Sequence, residues 1–446
     1  MKRQSLVGHI LQLYDAIQSG RQAPDNAVKE FFRSRHYLGG RDRRFISEAI
    51  YGMIRYHRLL KAYLDAAAAT LSASNLQEFR TSLTLYCAYA LRIAREEPGQ
   101  VMSDVADLAQ SLHPGLNPSS FLDALSGTAF PADMEVTPAR RMAVRHSFPD
   151  FVVMEWVRRF GERRAEELCS SLNLPAPITI RVNTLKTTVD ACQEMLKREG
   201  IESTRTTLSP GGLLLGKRVN VQALESFRRG WFEVQDEASQ LIALLADPQQ
   251  GESVVDACAG GGGKMLHMAA LMNNAGILLA FDVDAGRLRR VQEREARAGV
   301  TIGRLCFPQE SEATLRAWDG RADRVLIDAP CTGLGTVRRN PWLKSNVSEE
   351  DVDRISEVQH SVLDRFARLV KLGGRLVYAT CTLLEKENEG SVGWFLSTHA
   401  QFSLLSAPEL IRARGVGLTS TSSYLELLPS ETGTDGFFAA ALVRNA

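Results

Sequence analysis

The chain has 446 residues, enough for about three domains, and its 44% apolar content is that of a soluble protein with a sizeable core. A net charge of +1 leaves any nucleic-acid affinity to local patches. No apolar run approaches the ~18 residues of a membrane span, and polar residues interrupt MKRQSLVGHILQLYDAI too early for a signal peptide.

Seven cysteines, an odd number with no CxxC, argue against a disulfide framework or a zinc site. The expectation is a reduced, metal-free, cytoplasmic protein, with nothing to suggest an obligate oligomer and hence a monomer.

Residues 1–135 are read as an all-helical domain. Apolar positions recur at helical spacing, as in Val7, Ile10, Leu11 and Tyr14, then Ile46, Ala49, Ile50 and Met53. Breaks fall at Pro24, Gly39-Gly40, Pro98 and Pro114. Lys29–Lys61 carries nine Lys/Arg against Glu30, Asp42 and Glu48, a local excess of +6. Such a face suits RNA phosphates, or it is only a solvated helix face.

Residues 131–145 read as a linker. Residues 146–235 read as one or two amphipathic helices followed by a small β-α-β-β piece, with strands in 178–187, near Leu213–Leu215 and at Trp231–Val234.

From 236 to 446 strands and helices alternate. Strands are expected at 253–257, 277–282, 302–306, 323–328, 374–379, 402–405 and 437–443, the last as an edge strand. The alternation predicts a doubly wound, Rossmann-like α/β sheet, whose ligands bind beyond the carboxyl ends of its strands.

Four strand ends carry chemistry. SVVDACAGGGGK runs from strand to glycine turn to helix, but matches neither GxGxxG nor GxxxxGK[ST]. Asp282 ends the next strand, where a carboxylate can accept both ribose hydroxyls of an adenosine cofactor. With no phosphate signature, S-adenosyl-L-methionine fits.

VLIDAPCTG places Asp328 and Cys331, and LVYATCTLLEKENE places Cys381, at two further strand ends. Two thiols and a carboxylate in one crevice fit methylation at carbon 5 of cytosine. A thiolate adds to carbon 6, and a carboxyl at N3 assists. This chemistry alone leaves open which thiol attacks.

The blocks RHSFPDFVVMEWVRRFG, IRVNTLKT, VQDEASQL, DAPCTGLGTVRRNP, LVYATCTLLEKENE and LLPSETGTDGFF resemble those of the RNA cytosine-5 methyltransferase family, the Fmu/Sun group. GGRDRRFISEAIYGMIR is similar to the NusB-like RNA-binding domain that heads the bacterial enzyme of 16S-type ribosomal RNA. The resemblance implies Cys381 as nucleophile, Cys331 as the thiol that assists product release, and Asp328 at N3 of the base. It also implies a cofactor site made of Cys258, Ala259, Gly260, Gly261, Gly262, Gly263, Lys264, Asp282, Gln309 and Asp328.

The chain departs from the family pattern in places. CAGGGGK stands for the usual CAAPGGK, Gln309 in CFPQES for an Asp near the adenine, and Trp342 for the Asp after RRNP. The expected function is therefore RNA cytosine-5 methylation, on 16S ribosomal RNA. The alternatives are the same chemistry on tRNA or another ribosomal site, or a non-catalytic RNA-binding factor of ribosome assembly.

Overall fold

The computed structural model describes all residues except 21–23, 72–79, 113–116, 131–136, 419 and 446. The chain divides into two compact units, 1–173 with 340–346, and 174–339 with 347–446.

The first unit is helical, with nine helices among its described residues. The amphipathic spacing seen in the sequence turns Val7, Ile10, Tyr14, Ile46, Ile50 and Met53 into one core with Leu60, Leu64, Tyr86 and Phe121. Pro24 and Pro98 open helices rather than merely breaking them, since proline suits the first turn. Pro114 lies outside the described residues.

The linker expected over 131–145 is corrected in part. Residues 138–146 form a helix, started by Pro138 and by the Thr137 hydroxyl, which accepts the Arg140 amide. Residues 131–136 lie outside the described residues. Asp150–Leu172 is two helices joined at Gly161, whose φ of 78° breaks the helical path. Segment 340–346 completes this unit: Trp342 packs on the helical core, and Lys344 Nζ donates to the His146 carbonyl at 2.9 Å and to Asn173 Oδ1 at 2.7 Å.

The second unit holds two sheets. The small one has strands β1 (Thr179–Val182), β2 (Ser203–Arg205), β3 (Gly212–Leu215) and β4 (Phe232–Val234), in the order β2-β3-β1-β4 and antiparallel throughout. The β-α-β-β reading missed β2, whose STR is polar, short and at an edge. Ile180, Val182, Leu213, Leu215 and Phe232 pack on Cys192 and Leu196 of the helix Val189–Arg198.

The large sheet comprises β5 (Ser253–Asp256), β6 (Ile277–Phe281), β7 (Gly303–Cys306), β8 (Ala322–Asp328), β9 (Val370–Thr380), β10 (Phe402–Leu405), β11 (Leu425–Leu427) and β12 (Phe437–Arg444). Its order is β10-β12-β9-β8-β5-β6-β7, with β11 also pairing β12. Strands β5 to β9 run parallel, and β12 is antiparallel to β9.

Side chains alternate across this sheet. Val254, Leu278, Leu326 and Val377 face one core, while Val255, Leu279, Val325 and Leu376 face the other. Helices cover both faces, which is the doubly wound arrangement expected. The strand 437–443 is not an edge strand: β9 flanks it on one side, and β10 and β11 on the other. Its run of alanines and apolar residues lets both faces be covered, and Phe437–Leu442 are all buried. No helix among the described residues is long and apolar enough to cross a membrane.

Candidate active site

Three loops leave the carboxyl ends of β5, β8 and β9. The first continues the sheet ladder, with the Ala257 amide on the Leu326 carbonyl and the Ala259 amide on the Phe281 carbonyl, both at 2.8 Å. It then turns through Gly260 (φ 54°) and Gly262 (φ 80°) into the helix Gly263–Leu271. A Cβ at Gly262 would lie 2.8 Å from Val291 Cγ1, so this turn accepts no side chain.

The β8 and β9 loops are stitched together. The Ala329 amide donates to the Ala379 carbonyl at 2.8 Å, and the Gly335 amide to the Cys381 carbonyl at 2.9 Å. Gly335 also touches Gly436, where an added Cβ would sit 2.1 Å from the carbonyl oxygen.

The loops enclose a cleft of about 400 Å³ lined by Cys258, Ala259, Gly260, Gly261, Gly263, Lys264, Asp328 and Cys381. Lys264 Nζ bonds Asp328 Oδ2 at 2.7 Å and sits 5.2 Å from the Phe437 ring centroid. Burial opposes the Lys264 charge, but Asp328 and neighbouring acids outweigh it and hold the ammonium above its ordinary range. The two thiols meet, Cys331 Sγ to Cys381 Sγ at 3.4 Å. The Cys331 thiol is held well above its usual range by its bond to Cys381 and by burial.

The remaining expected site residues lie outside the lining of the cleft. Gly262 packs beneath it on Val291. Asp282 braces the loop from outside: Oδ2 accepts the Gly260 amide and Oδ1 the Asp284 amide, each at 2.8 Å. Gln309 is exposed in the turn after β7. Arg338 donates to the carbonyls of Gly433 and Thr434.

A family model described as 16S rRNA methyltransferase RsmB/F matches residues 243–443, and one described as its ferredoxin-like domain matches 148–222. "Probable ribosomal RNA small subunit methyltransferase B" of Bacillus subtilis (strain 168) is 34% identical over 68% of each chain. The protein of the same name from Synechocystis sp. is 30% identical over 92% of each.

The chain belongs to the RsmB/F methyltransferase family.

Membership makes it an RNA methyltransferase. A solved methyltransferase homolog from Pyrococcus horikoshii shares this RsmB/F fold at a TM-score of 0.59 and 29% identity, over 70% of this chain and all of that one.

This RsmB/F cleft also contains residues that sequence reasoning did not single out. Gln235, Asp236, Arg294, Arg339, Asp435 and Phe437 line it. Arg339 bonds Asp435 at 2.6 Å and Asp236 at 2.8 Å, joining three of the quoted blocks. Burial and then Asp236 push the Asp435 carboxyl up to about 6, while Arg339 pulls it down. The blocks VQDEASQL, RRNP and TGTDGFF carried the signal for these residues.

Arg294 had no such signal. It lies on a helix whose charged face reads as solvated, yet it donates to the Gly261 carbonyl and pairs with the buried Glu233 at 2.7 Å. Asp256 ends β5 fully buried. Burial and then Asp328 push its carboxyl up to about 7, and neither oxygen accepts a well-aligned hydrogen bond.

Proposed function

We propose that the protein methylates carbon 5 of a cytosine in small-subunit ribosomal RNA, in the cytoplasm, through a covalent cysteine adduct. One observation carries this reading: two thiols 3.4 Å apart, one of them lining the cleft that holds the Lys264–Asp328 pair. The relatives' names, as ribosomal RNA small subunit methyltransferases, support the choice of RNA.

The cofactor is S-adenosyl-L-methionine, which supplies an electrophilic methyl group. The cleft fits it: backbone amides and small residues stand at a helix start, and a carboxylate at the next strand end braces that loop from outside. Cys258–Lys264 would hold its methionine part, Asp282 would accept from the ribose, and Gln309 would serve the adenine.

Carbon 5 of cytosine is a poor nucleophile. Addition of the Cys381 thiolate to carbon 6 makes the ring an enamine that can take the methyl group. Asp328 meets N3 of the base, and Lys264 at 2.7 Å keeps a proton beside that carboxyl. A base then takes the carbon 5 proton, the bond from carbon 6 to sulfur breaks to return the Cys381 thiolate, and Cys331 assists this release. The base enters unpaired or flipped out of its helix.

Denaturing electrophoresis with labelled ribosomal RNA tests the roles. Cys331→Ala is expected to trap a slow-moving covalent complex, absent from Cys381→Ala and from the double variant. An adduct that needs Cys331 instead would exchange the two roles. No adduct together with no cofactor binding would favour a non-catalytic assembly factor.

A further inference from the structure

Behind the two cysteines lies a buried polar turn that the reaction above does not use. Lys386–Gly390 form a single π-helical turn leading into the helix Ser391–Thr398. Such turns are rare and cluster at functional sites. Two consecutive residues of the turn, Glu387 and Asn388, are fully buried.

Glu387 holds the loop of Cys331. Its Oε2 accepts the Thr332 amide at 2.8 Å and Gln359 Nε2 at 3.1 Å, and its Oε1 accepts the Thr332 hydroxyl at 2.6 Å. Asn388 holds the loop of Cys381. Its Oδ1 accepts the Thr380 hydroxyl at 2.5 Å, and its Nδ2 donates to the Thr382 carbonyl at 3.1 Å. Thr332 follows Cys331, and Thr380 and Thr382 flank Cys381. The hydroxyls of Thr332 and Thr382 join the two halves at 2.9 Å.

Burial pushes the Glu387 carboxyl above its ordinary range, and the donors of Thr332, Thr382 and Gln359 pull it back toward the charged form. The site is more elaborate than packing requires, because a hydrophobic pair would fill the same space without an internal charge.

We propose that Glu387 and Asn388 are the positioning residues of the thiol pair: one turn grips both loops beside their cysteines, sets the thiol spacing, and leaves Cys381 as the thiol that attacks. This inference rests on the two-thiol reading of the site.

The charge of Glu387 acts in the same direction as the geometry. The bond to Cys381, burial and then the Cys381 and Glu387 charges hold the Cys331 thiol well above its usual range. A thiol that stays protonated does not compete as a nucleophile. The other ionisable groups around the pair are Tyr378 beside Cys331, and Lys264 with its partner Asp328 on the side of Cys381. Tyr378 in turn donates to the Glu387 carbonyl at 2.6 Å.

The test uses the full chain without RNA. Iodoacetamide alkylation of each cysteine is followed by peptide mass spectrometry across neutral to alkaline pH. In the wild type, Cys381 is expected to react ahead of Cys331. In Glu387→Gln, the Cys331 rate at mildly alkaline pH should rise about tenfold, as for a profile displaced by one pH unit. Asn388→Ala should leave the Cys331 profile in place and slow adduct formation with RNA.

An unmoved Cys331 profile in a Glu387→Gln protein that melts and binds S-adenosyl-L-methionine as the wild type does would overturn the proposal. If that variant does not fold, Thr332→Val, which removes only the hydroxyl donor, must move the profile in the same direction by less. No movement there overturns it too. Failure of the cytosine reading looks different: Cys331→Ala then traps no RNA adduct, whatever the thiol profile.

Discussion

In the helical unit Arg44 meets Glu48 with 79% and 58% of their side chains exposed, whereas in the sheet unit Lys264 meets Asp328 with 10% and 29% exposed. The contrast extends to their surroundings. Around Lys264 lie Asp256, Asp328 and the cysteine loops, each tied to the next by backbone or side-chain bonds. In the basic stretch of the helical unit several arginines are held singly: Arg43 Nε on the Leu38 carbonyl, Arg35 over the Phe31 ring, Arg58 on the Phe148 carbonyl and Asp150.

Exposed pairs contribute on the order of 0–1 kcal/mol and are screened by salt. They suit a surface that needs charge but no fixed geometry. Bond-making needs groups held within fractions of an ångström, and only the buried network supplies that.

The sharpest way to break this comparison is at the cofactor loop. Asp282 fixes Gly260, and in the function proposed above it is also the acceptor for the ribose. Losing two charge-assisted hydrogen bonds of roughly 1.5–3 kcal/mol each should weaken S-adenosyl-L-methionine binding by about a hundredfold or more in Asp282→Ala. Calorimetric titration measures this. Unchanged affinity would place the ribose elsewhere.

A smaller effect is expected at Arg294, which straps the Gly261 carbonyl to Glu233. Gly260 and Gly261 stand where the family usually has Ala and Pro, so the free loop has more conformations to lose on binding. Arg294→Ala should weaken cofactor binding by about tenfold, the loss of one charged hydrogen bond. If binding and turnover were untouched, the loop would be rigid without its strap.

The smallest effect should come from Arg41, Arg43 and Arg44 together. Their replacement by alanine is expected to weaken RNA binding a few-fold at moderate salt, each lost phosphate contact lowering the salt slope by roughly 0.7–0.9. Cofactor affinity should not change. A wild-type slope in filter binding across a salt series would make this face merely solvated.

Much of this was legible in the chain itself. Continuous apolar runs such as VLI and LVYA gave the buried strands, and their ends placed Cys331, Cys381, Asp328 and the glycine turn at one edge of a sheet. Those are local signals, set by runs of apolar side chains and by the backbone freedom of glycine. Short polar β2 and the helix at 138–146 left weaker local traces, and were missed or read as linker.

What only the tertiary structure decided are the relations between distant segments. Sequence spacing does not say that two thiols 50 positions apart stand 3.4 Å from one another, or that Glu387 and Asn388 each hold a different loop. Nor does it say that Arg294 leaves a charged helix face to reach Gly261, or that β12 lies inside the sheet with short strands along its outer side. Each depends on which elements pack together, and that choice is made by the burial of the whole core rather than by the propensity of any one segment.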